Sequence, residues 1–400
     1  MKLLICNGII MRMKKIKENK TYILLCVFYI VYYITLGVFA PYLNVYYERL
    51  GFSGSKIGLI NSLGLIASMI VTPLWGAISD KTRSPKGMIA FLMMATGISA
   101  FFFSMQKAFL PVLVLSIILS MFRYNVWSLI DGVGIECCSA VQKDFGFARS
   151  MGSVGYLLGS FVIANTLNSF GISGPYLNVM IIFSFLGAVL IFIMPSYKPT
   201  EKKKSKISFT ESVKTLFTNK NYVFVLIMML LTSMVVDCIL NYSGNHLINT
   251  LHQNDSMIGI FSCAQVLPEV IIVMFANRIF RKMNTRKIFM LGAAAQAVRF
   301  FLCALSSNVV VFLLATTLHG ITIAVSSVGY VSYIHKQVDS RILATAMALY
   351  GTVNTIGSIL INQLFGFVYQ YSSSYDLFWI GFICALAAAV MVFFNKQLED

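Results

Sequence analysis

Charged residues are scarce in this chain. They make up 12% of its 400 residues, whereas about a quarter of a soluble domain is charged. Hydrophobic residues make up 58%, and they recur in runs of about twenty, the length at which a helix crosses a bilayer. The composition excludes an ordinary soluble domain and indicates an all-α protein that crosses a membrane many times.

Acidic residues are rarer than basic ones. The sequence has 15 Asp and Glu against 31 Lys and Arg, which gives a formal net charge of +16. A nucleic-acid partner is one explanation of such an excess. The basic residues lie in loops next to the apolar runs, however, where anionic lipid headgroups and membrane topology explain them better. We therefore expect membrane lipids as partners and no nucleic acid.

Motifs of catalysis and metal binding are missing. None of the eight cysteines forms a CxxC pair, which argues against a zinc site or a disulfide framework. The sequence also lacks HExxH, a nucleotide-binding loop and a Ser-His-Asp arrangement, so a membrane enzyme is the disfavoured alternative. We expect no enzyme activity, no metal and no cofactor.

The apolar runs predict twelve spans, six on each side of a basic stretch. They lie at about 21–46, 56–79, 87–106, 109–137, 148–168, 175–195, 221–249, 256–280, 286–306, 308–334, 341–369 and 373–395. The predicted domains are a basic tail at 1–20, a six-helix bundle at 21–195, a linker at 196–220, a six-helix bundle at 221–395 and a tail at 396–400. Secondary transporters are often built from two such repeats, with the solute site near the bilayer midplane. We expect this fold in a monomer.

The distribution of Lys and Arg predicts the orientation. With a cytoplasmic N-terminus, 25 of the 31 basic residues lie on the cytoplasmic side and three in outer loops, while Arg123, Arg149 and Arg299 lie within spans. Cytoplasmic loops carry the excess of Lys and Arg in membrane proteins. We therefore predict a multi-pass protein of the plasma (inner) membrane with both termini in the cytoplasm.

Charged side chains in the fourth and fifth spans predict a polar cavity. Trp127 and Asp131 share one helix face, and Arg149 and Tyr156 are nearly in line on the next helix. A charge within a bilayer normally pairs or faces water. We expect Asp131 and Arg149 to pair and to bind the solute, with Trp127 and Tyr156 beside them. A salt bridge that only orients the two helices is the alternative.

A row of small residues follows the same helix as Arg149. Ala148, Gly152, Gly155 and Gly159 recur at a helical spacing. Small residues let a second helix approach backbone to backbone. The row therefore predicts a close helix contact next to the polar cavity.

The second half of the sequence has its own polar side chains. Two stripes have the spacing of a helix face and are predicted to line the cavity: Asp237, Asn241 and Asn245, and Asn354, Ser358 and Asn362. A carboxylate in a low-dielectric site can exchange a proton near neutral pH, and we choose Glu269 as the first candidate and Asp237 as the second. Arg299 is expected in the coupling site, where a simple ion pair with Glu269 is the alternative. His319 is expected to bind the solute or to relay protons.

Several motifs resemble those of the major facilitator superfamily. Gly76, Asp80, Lys81, Arg83 and Lys86 resemble its signature between helices 2 and 3, although Ser84-Pro85 replaces the usual Gly-Arg. FGFARSMGSVGY, from Phe145 to Tyr156, and APYLNVYYERLGFSGSKIG in the first span are similar to the lactose permease and phenylpropionate permease group. AVRFF with Arg299 and TLHG with His319 resemble helices 9 and 10 of that group.

The resemblance implies a proton-coupled symporter that works by alternating access. It implies solute binding by Asp131 and Arg149, stacking by Tyr156 in place of a tryptophan, and gating by Gly76, Asp80 and Arg83. Thr316 and Thr322 replace a lysine and a glutamate of the lactose permease pattern, so lactose is a poor candidate. We expect the proton gradient to drive import of a sugar or oligosaccharide, a nucleoside or a phenylpropanoid-type acid. A proton-antiport exporter of the same fold is the alternative.

Overall fold

Helices form all the regular secondary structure in the computed structural model, which describes residues 2–171, 176–194, 209–339 and 341–395. We number the main helices α1 to α12 in chain order. They are Asn19–Arg49, Gly54–Thr82, Pro85–Ser104, Phe109–Ala140, Phe145–Ser169, Leu177–Ile193, Lys220–Thr250, Ser256–Phe280, Thr285–Leu305, Val309–Gln337, Leu343–Tyr371 and Ser374–Phe394. The helical backbone of α1 extends back to Lys2, through the predicted basic tail. A short helix, Phe209–Thr218, precedes α7.

The prediction of an all-α membrane protein with many spans is confirmed. Ten helices of the described ranges are long and apolar enough to cross a membrane, and α6 is a shorter apolar helix. The number of twelve spans stays a prediction. Residue 1 of the predicted basic tail, residues 195–208 around the predicted linker and the tail 396–400 lie outside the described residues.

Several helices are interrupted. In α1 a 3-10 turn, Ala40–Tyr42, separates two helical parts. In α4 the helix ends at Arg123 and restarts at Asn125, and in α10 it ends at Thr316 and restarts at His319. Turns of π-helix occur in α5, α7 and α10 at Leu158–Ile163, Leu230–Met234, His246–Thr250 and Val325–Tyr330. Such irregular turns are frequent at functional sites because they free or reorient side chains and backbone groups.

Residues 1–40 and 70–202 form one compact unit, in which α1 packs on α5 and α3 on α6. The contact of α1 with α5 depends on glycine. A Cβ atom on Gly155 would lie 2.2 Å from the Ile30 carbonyl oxygen, and one on Gly159 would lie 2.7 Å from that of Ile34. The predicted backbone-to-backbone contact of the small-residue row is confirmed.

Residues 41–69 and 203–400 form the second unit, in which α9 packs on α12 and α8 on α10. The first part of α2 meets α11 closely, because a Cβ atom on Gly54 would lie 2.4 Å from the Gly366 carbonyl oxygen. Ser62 donates a hydrogen bond to the Ile359 carbonyl oxygen at 2.7 Å. Residues 41–69 therefore pack with helices of the second half of the sequence. The two predicted six-helix bundles, 21–195 and 221–395, were divided by sequence order, and this division stays a prediction.

Candidate functional site

Three side chains of the first unit hold the Asp131 carboxylate. The Arg149 Nε atom lies 3.2 Å from Oδ1, the Tyr29 hydroxyl donates to Oδ1 at 2.8 Å, and Trp127 Nε1 donates to Oδ2 at 2.8 Å. The side chains of Arg149 and Asp131 are 26% and 29% exposed. The predicted ion pair and the place of Trp127 beside it are present, while their role in binding stays a prediction.

Aromatic rings surround the Arg149 guanidinium. Its Cζ atom lies 4.9 Å from the ring centroid of Tyr33, 5.1 Å from that of Trp127 and 5.9 Å from that of Tyr29. A cation over an aromatic face is stabilised by about 0.5–2 kcal/mol, depending on how far it is desolvated. The rings therefore fix the guanidinium plane, and among the described contacts only the Nε donor is used by Asp131. The remaining N–H donors are available to a polar ligand.

Sequence reasoning missed the first-helix part of this site. Tyr29 and Tyr33 lie on α1, far from the pair in sequence, and both contact it. Their spacing of four residues is the one signal that places them on a common face. Arg123, at the break in α4, is buried. Its Cζ atom lies 5.1 Å from the ring centroid of Phe39 and 4.2 Å from that of Tyr124.

Tyr156 contributes its backbone to the helix contact of the first unit. A Cβ atom on Gly37 would lie 2.3 Å from the Tyr156 carbonyl oxygen. The Tyr156 side chain is half-buried. Its predicted stacking on a solute stays a prediction.

A second polar cluster joins α8, α9 and α10 in the second unit. His319 lies directly after the break in α10, and its Nδ1 atom is 3.0 Å from a terminal nitrogen of Arg299. Its Nε2 atom is 3.1 Å from the Gln265 amide and 3.8 Å from Glu269 Oε2. The structure thus brings together Glu269, Arg299 and His319. The simple pair of Glu269 with Arg299 is replaced by an arrangement in which the imidazole lies between them.

The donors in this cluster define the tautomer of His319. A guanidinium nitrogen can only donate, so Nδ1 accepts from Arg299 and carries no proton. The neutral ring then has its proton on Nε2, which lies 3.1 Å from the Gln265 amide nitrogen and 3.8 Å from Glu269 Oε2. The Gln265 amide accepts this proton only when it is flipped to present its oxygen. His319 and Arg299 are each 2% exposed, whereas the Glu269 side chain is 31% exposed. The carboxylate is therefore the member of the cluster that solvent reaches.

The two predicted stripes of the second half are only partly available to a solute. Asp237 and Asn241 are exposed, and Asn241 donates to the Asn362 side chain at 3.1 Å. Asn354 lies two turns before Asn362 on α11, and its Oδ1 atom is buried without a hydrogen-bond partner among the described residues. Asn245 is fully buried, so the prediction that it lines a cavity is wrong. It lies about 12 Å along the helix from Asp237, at 1.5 Å per residue, and contacts another part of the chain there.

That part is a cluster around Glu48, which sequence reasoning also missed. Asn249 donates to the Glu48 carboxylate at 2.6 Å and the Tyr369 hydroxyl donates to it at 3.1 Å. Asn245 donates both to this carboxylate and to the Asn44 carbonyl oxygen. Beside the cluster, Arg49 donates to Asp255 at 2.8 Å. The last turns of α1 are therefore bound to α7 and α11 by polar groups. We call Asn44, Glu48, Asn245, Asn249 and Tyr369 the Glu48 cluster.

The residues predicted for gating lie at the end of α2. Gly76 has open space at its Cβ position, and Asp80 is exposed two residues before the helix ends at Thr82. Arg83 has a φ of 50°, in the left-handed region, so the chain turns sharply there. The unusual Ser84-Pro85 starts the next helix, because Ser84 accepts a hydrogen bond from the Gly87 N–H and Pro85 occupies the first turn. Gating itself stays a prediction.

Comparison with known proteins places these features in a family. The model of the MFS_1 like family matches residues 22–380. The chain belongs to this family. It is therefore a transporter of the major facilitator superfamily, a multi-pass membrane protein and not an enzyme.

The proteins that are similar to this chain are named for different solutes. The chain is 24% identical to the probable 3-phenylpropionic acid transporter of Escherichia coli over 90% of this chain and 94% of that protein. The crystal structure of the nucleoside transporter NupG has a TM-score of 0.77 at 19% identity and covers 93% of this chain and 97% of its own. The D-xylose-proton symporter has a TM-score of 0.71 at 14% identity over 95% and 97% of the two chains. These two structures are similar in fold.

Proposed function

We propose that this transporter imports a small organic solute together with protons by alternating access, as a monomer in the plasma membrane with both termini in the cytoplasm. The candidate solutes are a sugar or oligosaccharide, a nucleoside and a phenylpropanoid-type acid. The energy comes from the proton gradient and no cofactor is needed. The observation that carries the proposal is the Glu269–His319–Arg299 cluster, which combines one solvent-accessible carboxylate with a buried imidazole and a buried cation.

Solute binding is assigned to the Asp131–Arg149 pair. The carboxylate accepts from Tyr29 and Trp127 and forms an ion pair with Arg149, whose guanidinium lies beside aromatic faces with its other donors available. Arginine holds hydroxyl and carboxylate oxygens in a planar geometry. The half-exposed Trp127 ring adds an apolar face, which suits the ring of a sugar, a base or an aromatic acid. Tyr156 is proposed to add to this surface in the first unit, and Asn241 and Asn354 are proposed to bind the solute from the second unit.

Proton coupling is assigned to Glu269, with Asp237 as the second candidate. When Glu269 is ionised, its charge attracts the Nε2–H of His319, which lies 3.8 Å away. When it is protonated, that interaction weakens and the imidazole can rotate or donate elsewhere. Arg299 keeps the imidazole neutral and oriented by donating to Nδ1. A proton on the carboxylate is thus sensed by a side chain on another helix, which is the requirement for coupling.

Uptake into vesicles tests the function. Purified transporter is reconstituted and labelled sugars, nucleosides and phenylpropanoid acids are offered with an inward proton gradient. One class should accumulate above equilibrium, and accumulation should collapse when a protonophore is added. Accumulation that survives the collapse without another ion gradient would contradict proton coupling, and outward movement of the solute would favour the exporter.

Asp131→Asn tests the binding pair in the same preparation. It removes one charge from the pair, and loss of a hydrogen bond to a charged group costs about 1.5–3 kcal/mol, or about 10- to 100-fold in affinity. Glu136→Gln is the matched control, because Glu136 is on the same helix but about 140° around from Asp131 at 100° per residue. Unchanged affinity in Asp131→Asn would remove the pair from the site.

A further inference from the structure

A cavity of about 260 Å³ lies where α8 ends, α9 begins and α10 ends. Helix ends of membrane spans lie at the boundary between hydrocarbon and water. Nothing in the proposed transport function uses this cavity. Its lining is mixed. The apolar side chains are Phe280, Met283, Ile288 and Val328, and the polar ones include Arg281, Tyr333 and Lys336.

The charge of the cavity is positive. Arg281 and Lys336 are both exposed and both line it, and none of the described lining residues is acidic. The acid nearest in sequence, Asp339, accepts from Arg341 at 2.6 Å, and hydrogen bonds from Arg341 lower the pKa of Asp339 to about 2. That carboxylate is therefore already engaged with a cation of its own loop. An anion in the cavity meets two cationic side chains.

The start of α9 adds hydrogen-bond donors. The Asn284 side chain accepts from the N–H of Lys287 at 3.0 Å and caps the helix. The first N–H groups of a helix have no acceptor within the helix, which leaves those of Thr285 and Arg286 to other partners. Together with the positive end of the helix dipole, they favour an anion.

Tyr333 supplies the observation that points to a ligand. It lines the cavity and is 5% exposed, and its ring packs edge-on against Phe289 at 5.5 Å. Its hydroxyl is buried and has no hydrogen-bond partner among the described residues. A buried polar group without a partner costs about 1–3 kcal/mol. A ligand oxygen in the cavity would accept from this hydroxyl.

We propose that the cavity binds the phosphate group of an anionic phospholipid. Arg281, Lys336 and the first N–H groups of α9 neutralise the phosphate, and the Tyr333 hydroxyl donates to one of its oxygens. Met283, Ile288 and Val328 contact the glycerol and the first methylene groups. A soluble phosphate would contact only the polar lining residues, whereas a lipid contacts both the polar and the apolar ones. Basic pockets between membrane helices bind lipid headgroups in this way.

Lipid titration of the purified transporter tests the proposal. The full chain in phosphatidylcholine nanodiscs receives increasing phosphatidylglycerol, and the melting temperature and the lipid retained in native mass spectrometry are measured. We expect saturable stabilisation and at least fivefold weaker phosphatidylglycerol binding in Arg281→Gln and in Lys336→Gln. Lys282→Gln is the matched control, since Lys282 is exposed in the same loop but does not line the cavity. It should bind as the unmodified chain does.

Tyr333→Phe separates binding from folding. In phosphatidylcholine alone it should not lower the melting temperature, because the hydroxyl it removes has no partner in the chain. It should still weaken phosphatidylglycerol binding severalfold. Equal losses in Arg281→Gln and Lys282→Gln, or unchanged binding in Tyr333→Phe, would overturn the proposal. Full stabilisation by inorganic phosphate, with nothing added by the lipid, would do the same. These measurements need neither solute nor gradient, so they stand apart from the transport assay.

Discussion

Single side chains determine what Arg149 can do. Its guanidinium lies between one carboxylate and three aromatic rings, and two of those rings come from α1. Tyr29 acts on both members of the pair, since its hydroxyl donates to Asp131 and its ring lies beside Arg149. Tyr29 is therefore a positioning residue for the proposed solute site.

Tyr29→Phe tests this positioning. The change keeps the ring and removes the hydroxyl that donates to Asp131. We expect affinity for the solute to fall about threefold to tenfold, as for loss of one hydrogen bond of about 1 kcal/mol. Tyr32→Phe is the control, because Tyr32 is buried on the same helix and packs on Phe28 and Tyr33. Solute affinity is measured by equilibrium binding to purified protein. An equal loss in both variants would assign Tyr29 to packing alone.

Glu269→Gln tests the proton site. The amide cannot take up or release a proton near neutral pH, so accumulation driven by a proton gradient should be lost, while exchange of labelled for unlabelled solute should continue. Asp339→Asn is the control carboxylate, because its pKa of about 2 keeps it ionised between pH 5 and pH 8. Both activities are measured in vesicles. Retained accumulation in Glu269→Gln would transfer the role to Asp237.

At the scale of residues, the sequence predicted the Asp131–Arg149 ion pair but not the side chains that surround it. Asp131 and Arg149 were found because charges in apolar spans are rare and need partners. Tyr29 was missed because the chain has 19 tyrosines, so a pair of them on one helix face does not stand out, and because its partner lies 102 residues away. The cluster of Glu269, Arg299 and His319 was assembled only in part, since the spacing within one helix does not show which helix lies opposite.

At the scale of helices, glycine sets the distance between α2 and α11. A Cβ atom on Gly366 would lie 2.4 Å from the Gly54 carbonyl oxygen, closer than such atoms approach. The two helices therefore touch backbone to backbone, as helices with small residues do in membranes. The interruption in α1 contains Pro41, a residue that commonly breaks a helix. The breaks in α4 and α10 could not be predicted, because no proline lies at either of them.

Gly366→Ala tests this contact. The extra methyl group should separate α2 from α11, and overpacking of this kind costs about 1–3 kcal/mol. We expect a lower melting temperature and reduced transport. Gly351→Ala is the control on the same helix, since its Cβ position has nothing within 4 Å, and alanine is the better helix former. Gly351→Ala should leave the melting temperature unchanged or raise it, and equal destabilisation by both would contradict the contact.

At the scale of the whole molecule, the predicted orientation rests on the distribution of charge alone. The many-span helical fold could be predicted from the length of the apolar runs, and the family comparison agrees with it. The two contact units could not be predicted in this way, because hydropathy gives the number of spans and not their neighbours. Residues 41–69 illustrate this, because they lie in the first half of the sequence but make their contacts in the second unit.

Fusions of alkaline phosphatase test the orientation. The enzyme is active only outside the cytoplasm, so a fusion after Gln253, in the predicted outer loop between α7 and α8, should be active. A fusion after Met283, in the predicted cytoplasmic loop before α9, should be inactive. Enzyme activity normalised to the amount of fusion protein is the measurement. The reverse pattern would invert the topology and place the Glu48 cluster at the cytoplasmic end.

Because α1 and α2 are each divided between the two contact units, expressing the two halves of the sequence as separate fragments would separate segments that pack together. A fragment that stops at residue 202 would carry residues 41–69 without Asn245, Asn249, Tyr369 and Gly366, the groups that hold them. The apolar segment 41–69 would then contact lipid, a chaperone or a second copy of the fragment. We expect the separately produced fragments to be unstable alone and to recover solubility in detergent when co-expressed, so that each complements the other.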